Sequence, residues 1–245
     1  MTSFALKIIA LITMFIDHFG YVFMGNFSFC NFIGRIAFPI FAFQISEGYE
    51  HTKNLKKYFL RLGIFAIISQ IPFYLFANKH LGSNTLTLNV FFTLFLGLLS
   101  IYLYDYINNL LQKQKSNFSN NMSDKKVLAL TIISKIVGII VVLLIAYVAE
   151  LMNTDYGFWG VLVVFMFYVL KSKELLMTIA FFALCIAKYI IPYIQSGFNL
   201  VYLVLALCTF LPIIFITSYK GKQGPKIKYL LYIFYPLHLL ILYLF

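Results

Sequence analysis

The chain has 245 residues, 62% of them hydrophobic, 19% aromatic and only 11% charged, with a mean hydropathy of +0.90. A soluble domain carries about 25% charged residues, so this composition excludes a soluble globular protein and indicates a polytopic membrane protein. In a soluble chain the net charge of +11 would suggest nucleic acid. In a membrane chain it is the Lys and Arg excess of cytoplasmic loops facing anionic headgroups, so no nucleic acid is expected.

A span needs roughly 20 apolar residues. On that basis an all-α bundle of about nine spans (eight to ten) is expected, as one domain over 1–245 with the lipid bilayer as its solvent. The first span covers 4–24; it has no small-residue cleavage site after it and His18 interrupts it, so it is expected to be retained. A polar joint, Gly25 to Asn31, leads to a second span over 32–49, whose Pro39 frees the carbonyl of Arg35 and predicts a kink. The charged turn EHTKNLKK precedes a third span over 57–77, with Pro72 bending or ending it. NKHLGSNT reads as an irregular loop before a fourth span over 86–104.

Residues 105–126 form the longest polar connection and are expected to be a flexible cytoplasmic loop. The fifth span covers 127–149. The sixth, 158–170, is short and compatible with a tilted or re-entrant segment. The seventh covers 174–191 and ends before Pro192. The eighth covers 198–218 and the ninth 229–245, separated by the breaker-rich YKGKQGPKIK. Cys30, Cys185 and Cys208 are isolated and have no metal-ligand or disulfide spacing, so they read as apolar fillers and no metal is expected.

Charge sets the orientation. With the N-terminus cytoplasmic, Lys7, Lys53, Lys56, Lys57, Arg61, Lys113, Lys115, Lys125, Lys126, Lys135, Lys171, Lys173, Lys220, Lys222, Lys226 and Lys228 all fall inside. Only Lys79 and Lys188 fall outside, and Arg35 lies within a span. This puts Asp17, His18 and Arg35 in the outer half of the membrane, Glu47 at the inner end of span two, Glu150 and Asp155 at the outer surface and His238 near the middle of span nine.

Ionisable groups inside a bilayer are costly and mark functional sites or interhelical pairs. Asp17 and His18 point about 100° apart on a helix. Asp17 is therefore placed to pair with Arg35 of the antiparallel second span, which leaves His18 aimed into the bundle as an acid–base group. The competing reading is a pair that only locks two helices. Arg35 offers donors for a carboxylate, phosphate or oxyanion. Gln44 and Glu47 share a face at the cytoplasmic mouth, where the basic residues Lys53, Lys57 and Arg61 could dock a polyanion. His51 and His80 read as solvated loop residues. Gln70, Asn89 and His238 are polar groups for a cavity or for interhelical hydrogen bonds.

Four stretches in order, LKIIALITMFIDHFGYVF, IGRIAFPIFAFQISEGYEHTKNLKKYFLRL, ISQIPFYL and LNVFFTLFLGL, together with YPLHLLIL near the end, resemble the TraX family of integral membrane proteins. The resemblance covers nearly the whole chain. The family's named member is linked to N-terminal acetylation of F pilin. TraX-like proteins also resemble a wider group of transmembrane acyltransferases, including the lysosomal heparan glucosaminide N-acetyltransferase, that carry acetyl from cytosolic acetyl-CoA to an acceptor across the membrane with an intramembrane histidine.

The resemblance implies a membrane-embedded acetyl-CoA-dependent acyltransferase of the bacterial cytoplasmic membrane. His18 would be general base, Asp17 and Arg35 supporting charges, and Gln44, Glu47, Lys53, Lys57 and Arg61 the donor site. The acceptor, an amine or hydroxyl of a peptide, glycan or lipid, stays open, and a homo-oligomer is compatible. The alternatives are a proton-coupled transporter or permease using Asp17, His18 and Arg35, and an assembly partner whose charges only lock helices. Transporters often show repeated halves with broken helices, and no repeat is evident here.

Overall fold

The computed structural model describes residues 1–25, 27–82, 87–118, 124–225 and 227–245, and among these there is no β-strand. The helices are α1 (Ser3–Phe23), α2 (Phe29–Gly34), α3 (Ala37–His51), α4 (Leu55–Phe76, continued by a π-helical turn Ala77–Leu81) and α5 (Val90–Phe118). They continue as α6 (Asp124–Leu151), α7 (Gly157–Leu170), α8 (Glu174–Gln195), α9 (Val201–Phe210), α10 (Pro212–Thr217) and α11 (Lys228–Tyr243). Among the described residues, six segments are long and apolar enough to cross a membrane: Ser3–Phe23, Phe29–His51, Leu55–Leu81, Val90–Leu110, Lys126–Leu151 and Glu174–Gln195. Gly157–Leu170, Val201–Thr217 and Tyr229–Tyr243 are shorter apolar segments.

Side-chain caps start several helices. Thr2 Oγ1 accepts from the Ala5 N–H at 3.1 Å, and Asn54 Oδ1 from the Lys57 N–H at 2.9 Å. At the start of α2 the Ser28 N–H donates to Asn31 Oδ1 at 3.0 Å. Each satisfies a backbone or side-chain group that a helix start otherwise leaves open.

The second segment is two helices, interrupted at Arg35 and Ile36. The interruption falls where Pro39 withholds the N–H that would bond the Arg35 carbonyl. Pro212 likewise separates α9 from α10, being placed in the first turn of the new helix. Pro192 acts differently from expectation, because α8 runs through it to Gln195; α4 likewise continues past Pro72 to Phe76. Neighbouring helices let a membrane helix absorb a proline.

The connection expected over 105–126 is largely helix as well, because α5 extends to Phe118 and α6 starts at Asp124. Asp105 is an acceptor within the bundle: Tyr49 and Tyr168 both donate to its Oδ2, at 2.9 and 2.6 Å. Of that expected loop, residues 119–123 lie outside the described residues, as do residues 83–85 of the irregular loop NKHLGSNT, whose Asn78–Leu81 form the π turn. His80 is thus half-buried in that turn with its ring centroid 5.2 Å from that of Phe76, rather than solvated.

Backbone contacts sort the joints into two ends. The Met1 amine bonds the Ser218 carbonyl, and the N–H groups of Ser3 and Phe4 bond the carbonyls of Lys222 and Gln223 at 2.8 and 3.0 Å. Lys171, after α7, pairs with Glu47 and Glu50 at the end of α3. At the opposite end Leu88 exchanges backbone bonds with Asn153 and Asp155, at 2.9 and 2.8 Å, and Lys79 Nζ donates to the Tyr243 carbonyl at 2.8 Å. The end holding the N-terminus is called the lower end below.

The core runs through the bundle, with Leu6, Ala10, Phe38, Ile40, Leu62 and Phe167 nearly inaccessible. By contrast α6 leaves Leu128, Ile132, Ile136, Ile140 and Leu144 exposed, the apolar stripe that lipid would cover.

Candidate functional site

Glycines bring α1 and α2 together. A Cβ on Gly20 would come 2.5 Å from Cys30 Cβ, and one on Gly34 would overlap the Asp17 side chain. Small residues of this kind let membrane helices approach closely. The approach sets Asp17 beside α2: Arg35 Nη2 reaches Asp17 Oδ2 at 3.0 Å and Oδ1 at 3.2 Å, and Asn31 Nδ2 donates to Oδ1 at 3.0 Å. Arg35 Nε donates to the Asn31 carbonyl at 3.2 Å and Nη2 reaches Tyr21 Oη at 3.4 Å. The expected Asp17–Arg35 pair is therefore present and hydrogen-bonded on both sides.

His18 points elsewhere. Its Nδ1 lies 2.7 Å from His238 Nε2 on α11, and His238 Nδ1 lies 2.7 Å from the Phe234 carbonyl. Its ring meets Phe76 edge-on at 5.2 Å between centroids. His238 is 3% exposed. The structure thus brings His238, a residue of the distant C-terminal helix, to the first-span histidine.

Asp17, His18 and Arg35 line a cavity of about 120 Å³ with Tyr21, Asp155 and Tyr156. A second cavity of about 280 Å³ lies below it, lined by Ser3, Lys7, Gln44, Glu47, His51 and Arg61 among apolar side chains. Met14, Phe41, Val90 and Tyr235 line both. The two cavities therefore lie back to back and adjoin at these four side chains.

The expected donor-site residues divide. Gln44, Glu47 and Arg61 line the lower cavity, whereas Lys53 and Lys57 are exposed outside it. Gln44 Oε1 accepts from Ser3 Oγ at 2.8 Å, while Gln44 Nε2 and Arg61 Nε are buried donors with no hydrogen-bond partner among the described residues. His51 is the last residue of α3 and belongs to the cavity wall, with Nδ1 2.9 Å from the Glu47 carbonyl.

Glu47 is paired rather than open to ligand. Its carboxylate meets Lys171, which also meets Glu50. Burial alone would pull the Lys171 ammonium down, but the hydrogen bonds and charge of Glu47 and Glu50 outweigh it and hold the group above its ordinary value. Glu47, Glu50 and His51 could in principle ligate a cation. Lys171 already supplies the positive charge between the two carboxylates.

Gln70 and Asn89 line neither cavity. Gln70 Oε1 accepts from the Asn89 N–H at 3.0 Å and from its Nδ2 at 2.9 Å, and Gln70 Nε2 donates to the Thr87 carbonyl at 2.8 Å. Asn89 Oδ1 accepts from the Phe91 N–H at 3.0 Å. This network fixes the start of α5.

Lys7, Asn31, Asp155, Tyr21 and Tyr156 belong to the site without having been singled out by the sequence. For two of them a signal was present. Ser3, Lys7, Met14, Asp17, His18 and Tyr21 recur at three, four and seven residues along α1, one face of a helix, and that face lines both cavities.

A family model described as TraX protein matches residues 3–245. The chain belongs to the TraX family. A relative from Dichelobacter nodosus, described as a probable fimbrial assembly protein FimC of serogroup H1, is 28% identical over 257 residues, covering 98% of this chain and 94% of its own. No solved structure matches. Within this TraX-family chain, both cavities draw on α1, α3, α4 and α5 and close against α11.

Proposed function

We propose that this TraX-family protein is a membrane-embedded acyltransferase of the bacterial cytoplasmic membrane, with nine crossings and a cytoplasmic N-terminus. It would move an acetyl group from cytosolic acetyl-CoA to an amine or hydroxyl acceptor at the outer side. The observation that carries this reading is the pair of back-to-back cavities, with a cationic, donor-rich chamber below and the His18 chamber above. The lower cavity suits the pantetheine arm of the donor, whose amide carbonyls would satisfy Gln44 Nε2 and Arg61 Nε. Lys7 and Arg61 supply positive charge there, and the exposed Lys53 and Lys57, sequence neighbours of the lining residues Thr52 and Tyr58, suit the phosphates outside.

The thioester would reach the shared wall at Met14, Phe41, Val90 and Tyr235. His18 then takes the proton as the acceptor nitrogen or oxygen attacks the thioester carbon. The C–S bond breaks, the acetyl group stays on the acceptor, and the thiolate leaves and collects the proton from His18 as free coenzyme A. Arg35, held by Asp17, Asn31 and Tyr21, provides positive potential for the oxyanion. The fimbrial-assembly relative makes a subunit of a surface appendage the first acceptor to test.

The test is purified protein in nanodiscs with radiolabelled acetyl-CoA. Saturable binding and slow release of labelled acetate are expected, with release lost in a folded His18→Ala protein. Wild-type release by that variant overturns the assignment of His18. Proton-driven uptake of a solute without any coenzyme A binding would replace the enzyme reading with a transporter.

A further inference from the structure

Asp17, the sequence neighbour of His18, is committed to Arg35 and Asn31 and cannot orient the imidazole. The group that touches it is a second imidazole, reached across 220 residues of sequence. The directions of the two short contacts are fixed by chemistry. His238 Nδ1 sits 2.7 Å from the Phe234 carbonyl oxygen, which can only accept, so Nδ1 carries the proton. In a neutral ring Nε2 of His238 is then an acceptor. His18 Nδ1, 2.7 Å away, must donate to it. The remaining nitrogen of His18, Nε2, is left with its lone pair.

We propose that His238 is the positioning residue of the site: a neutral histidine, anchored to the Phe234 carbonyl, that holds His18 in the tautomer whose Nε2 accepts a proton. This rests on the acyltransferase reading for its consequence but not for its geometry. When Nε2 of His18 takes the acceptor's proton, the Nδ1–H bond to His238 becomes charge-assisted, and such bonds are roughly twice as strong as neutral ones. The interaction thus strengthens as the reaction proceeds, which is what acceleration requires. Because His238 carries no net charge, the imidazolium is not trapped as an ion pair, and the proton remains transferable to the departing thiolate. The local packing supports the arrangement: the ring of Phe234 stacks on His238 at 4.9 Å and 16°, fixing its plane.

The test uses the full chain in nanodiscs with two readouts. The first is labelled acetate release from acetyl-CoA. His238→Phe keeps a ring in the packing but removes the acceptor; it should lower kcat by about ten-fold or more, from loss of the tautomer, with KM for acetyl-CoA within about two-fold. His238→Gln places an amide oxygen within reach of His18 Nδ1 and should recover most of that loss. The second readout needs no turnover: carbethoxylation by diethyl pyrocarbonate, followed residue by residue by mass spectrometry. His18 should react at least about ten-fold faster than His238, and His238 should become reactive in His18→Ala, where its Nε2 lone pair is released. His238→Gln no better than His238→Phe, or His238 modified as fast as His18 in the wild-type protein, overturns the proposal. Absence of acetyl-CoA turnover in the wild-type protein would sink the acyltransferase reading while the carbethoxylation pattern still decides the histidine pair.

Discussion

Gly34→Ala tests whether the close approach of α1 and α2 holds the charged pair together. A Cβ at Gly34 would fall inside 3.0 Å of Asp17 Cβ, Cγ and Oδ1, a distance that Cβ atoms essentially never show. Either α2 shifts outward or Asp17 turns away from Arg35. Overpacking of this kind costs about 1–3 kcal/mol. If the pair is also opened, leaving Arg35 uncompensated, the cost rises toward about 3–5 kcal/mol. At about 2–4 °C per kcal/mol for a chain of this size, a fall of at least about 6 °C is expected for a loss of about 3 kcal/mol. The assay is the apparent Tm of detergent-solubilised protein, read by size-exclusion recovery after heating. Asp17→Ala clears Cγ and Oδ1 from the path, so the double variant should lose less than the sum of the single losses. A Gly34→Ala protein that melts with the wild type refutes the packing argument, and additive losses refute the coupling to Asp17.

Lys171→Met should lower Tm strongly, because removing the partner leaves the Glu47 carboxylate, 4% exposed, without its cation. The pairing raises the Lys171 group when folded, so its stabilisation is fully present below the ordinary lysine value of 10.5 and is lost as pH rises through the folded value. A pH series of Tm from 9 to above 11 should therefore fall more steeply in the wild type than in Lys171→Met, and parallel curves would refute the linkage. Gln70→Leu should cost about 1–3 kcal/mol by leaving the Asn89 N–H and one of its two amide protons without an acceptor, the other staying on the Ala66 carbonyl. Acetyl-CoA binding by the surviving folded fraction should be unchanged, and a specific loss of binding would return Gln70 to the donor site.

The helical segments were legible because each is a long apolar run bounded by breakers or charges, and no tertiary information is needed to see that. The Asp17–Arg35 pair was legible too, since a short joint forces antiparallel neighbours at similar depth. Prolines are less legible. Pro39 breaks its segment, but Pro72 and Pro192 do not, because the effect of a missing N–H depends on what the surrounding helices supply. The polar run after 104 reads as loop from composition, yet it continues a helix whose Asp105 accepts from α3 and α7. His238 shows the limit most directly. Its residue type and span marked it, but its partner is set by how α11 packs against α1, a contact that no local pattern encodes.

The placement of charge explains why α3 can form a wall of both cavities. Where its segment is broken, Arg35 is tied to Asp17 of α1; at its far end Glu47 and Glu50 are tied to Lys171 after α7, and Tyr49 reaches Asp105 of α5. Between these ties Phe41 belongs to both cavities, and Gln44, Ile45 and Gly48 to the lower one. A helix with a proline-induced break would otherwise be free to tilt about Arg35 and Ile36. Buried ion pairs contribute little net stability when compared with apolar packing, but breaking one is costly. Charged clamps at both ends therefore hold a broken helix to one position better than added apolar contact, which tolerates sliding. The costly groups in this bundle sit where a cavity wall would otherwise move.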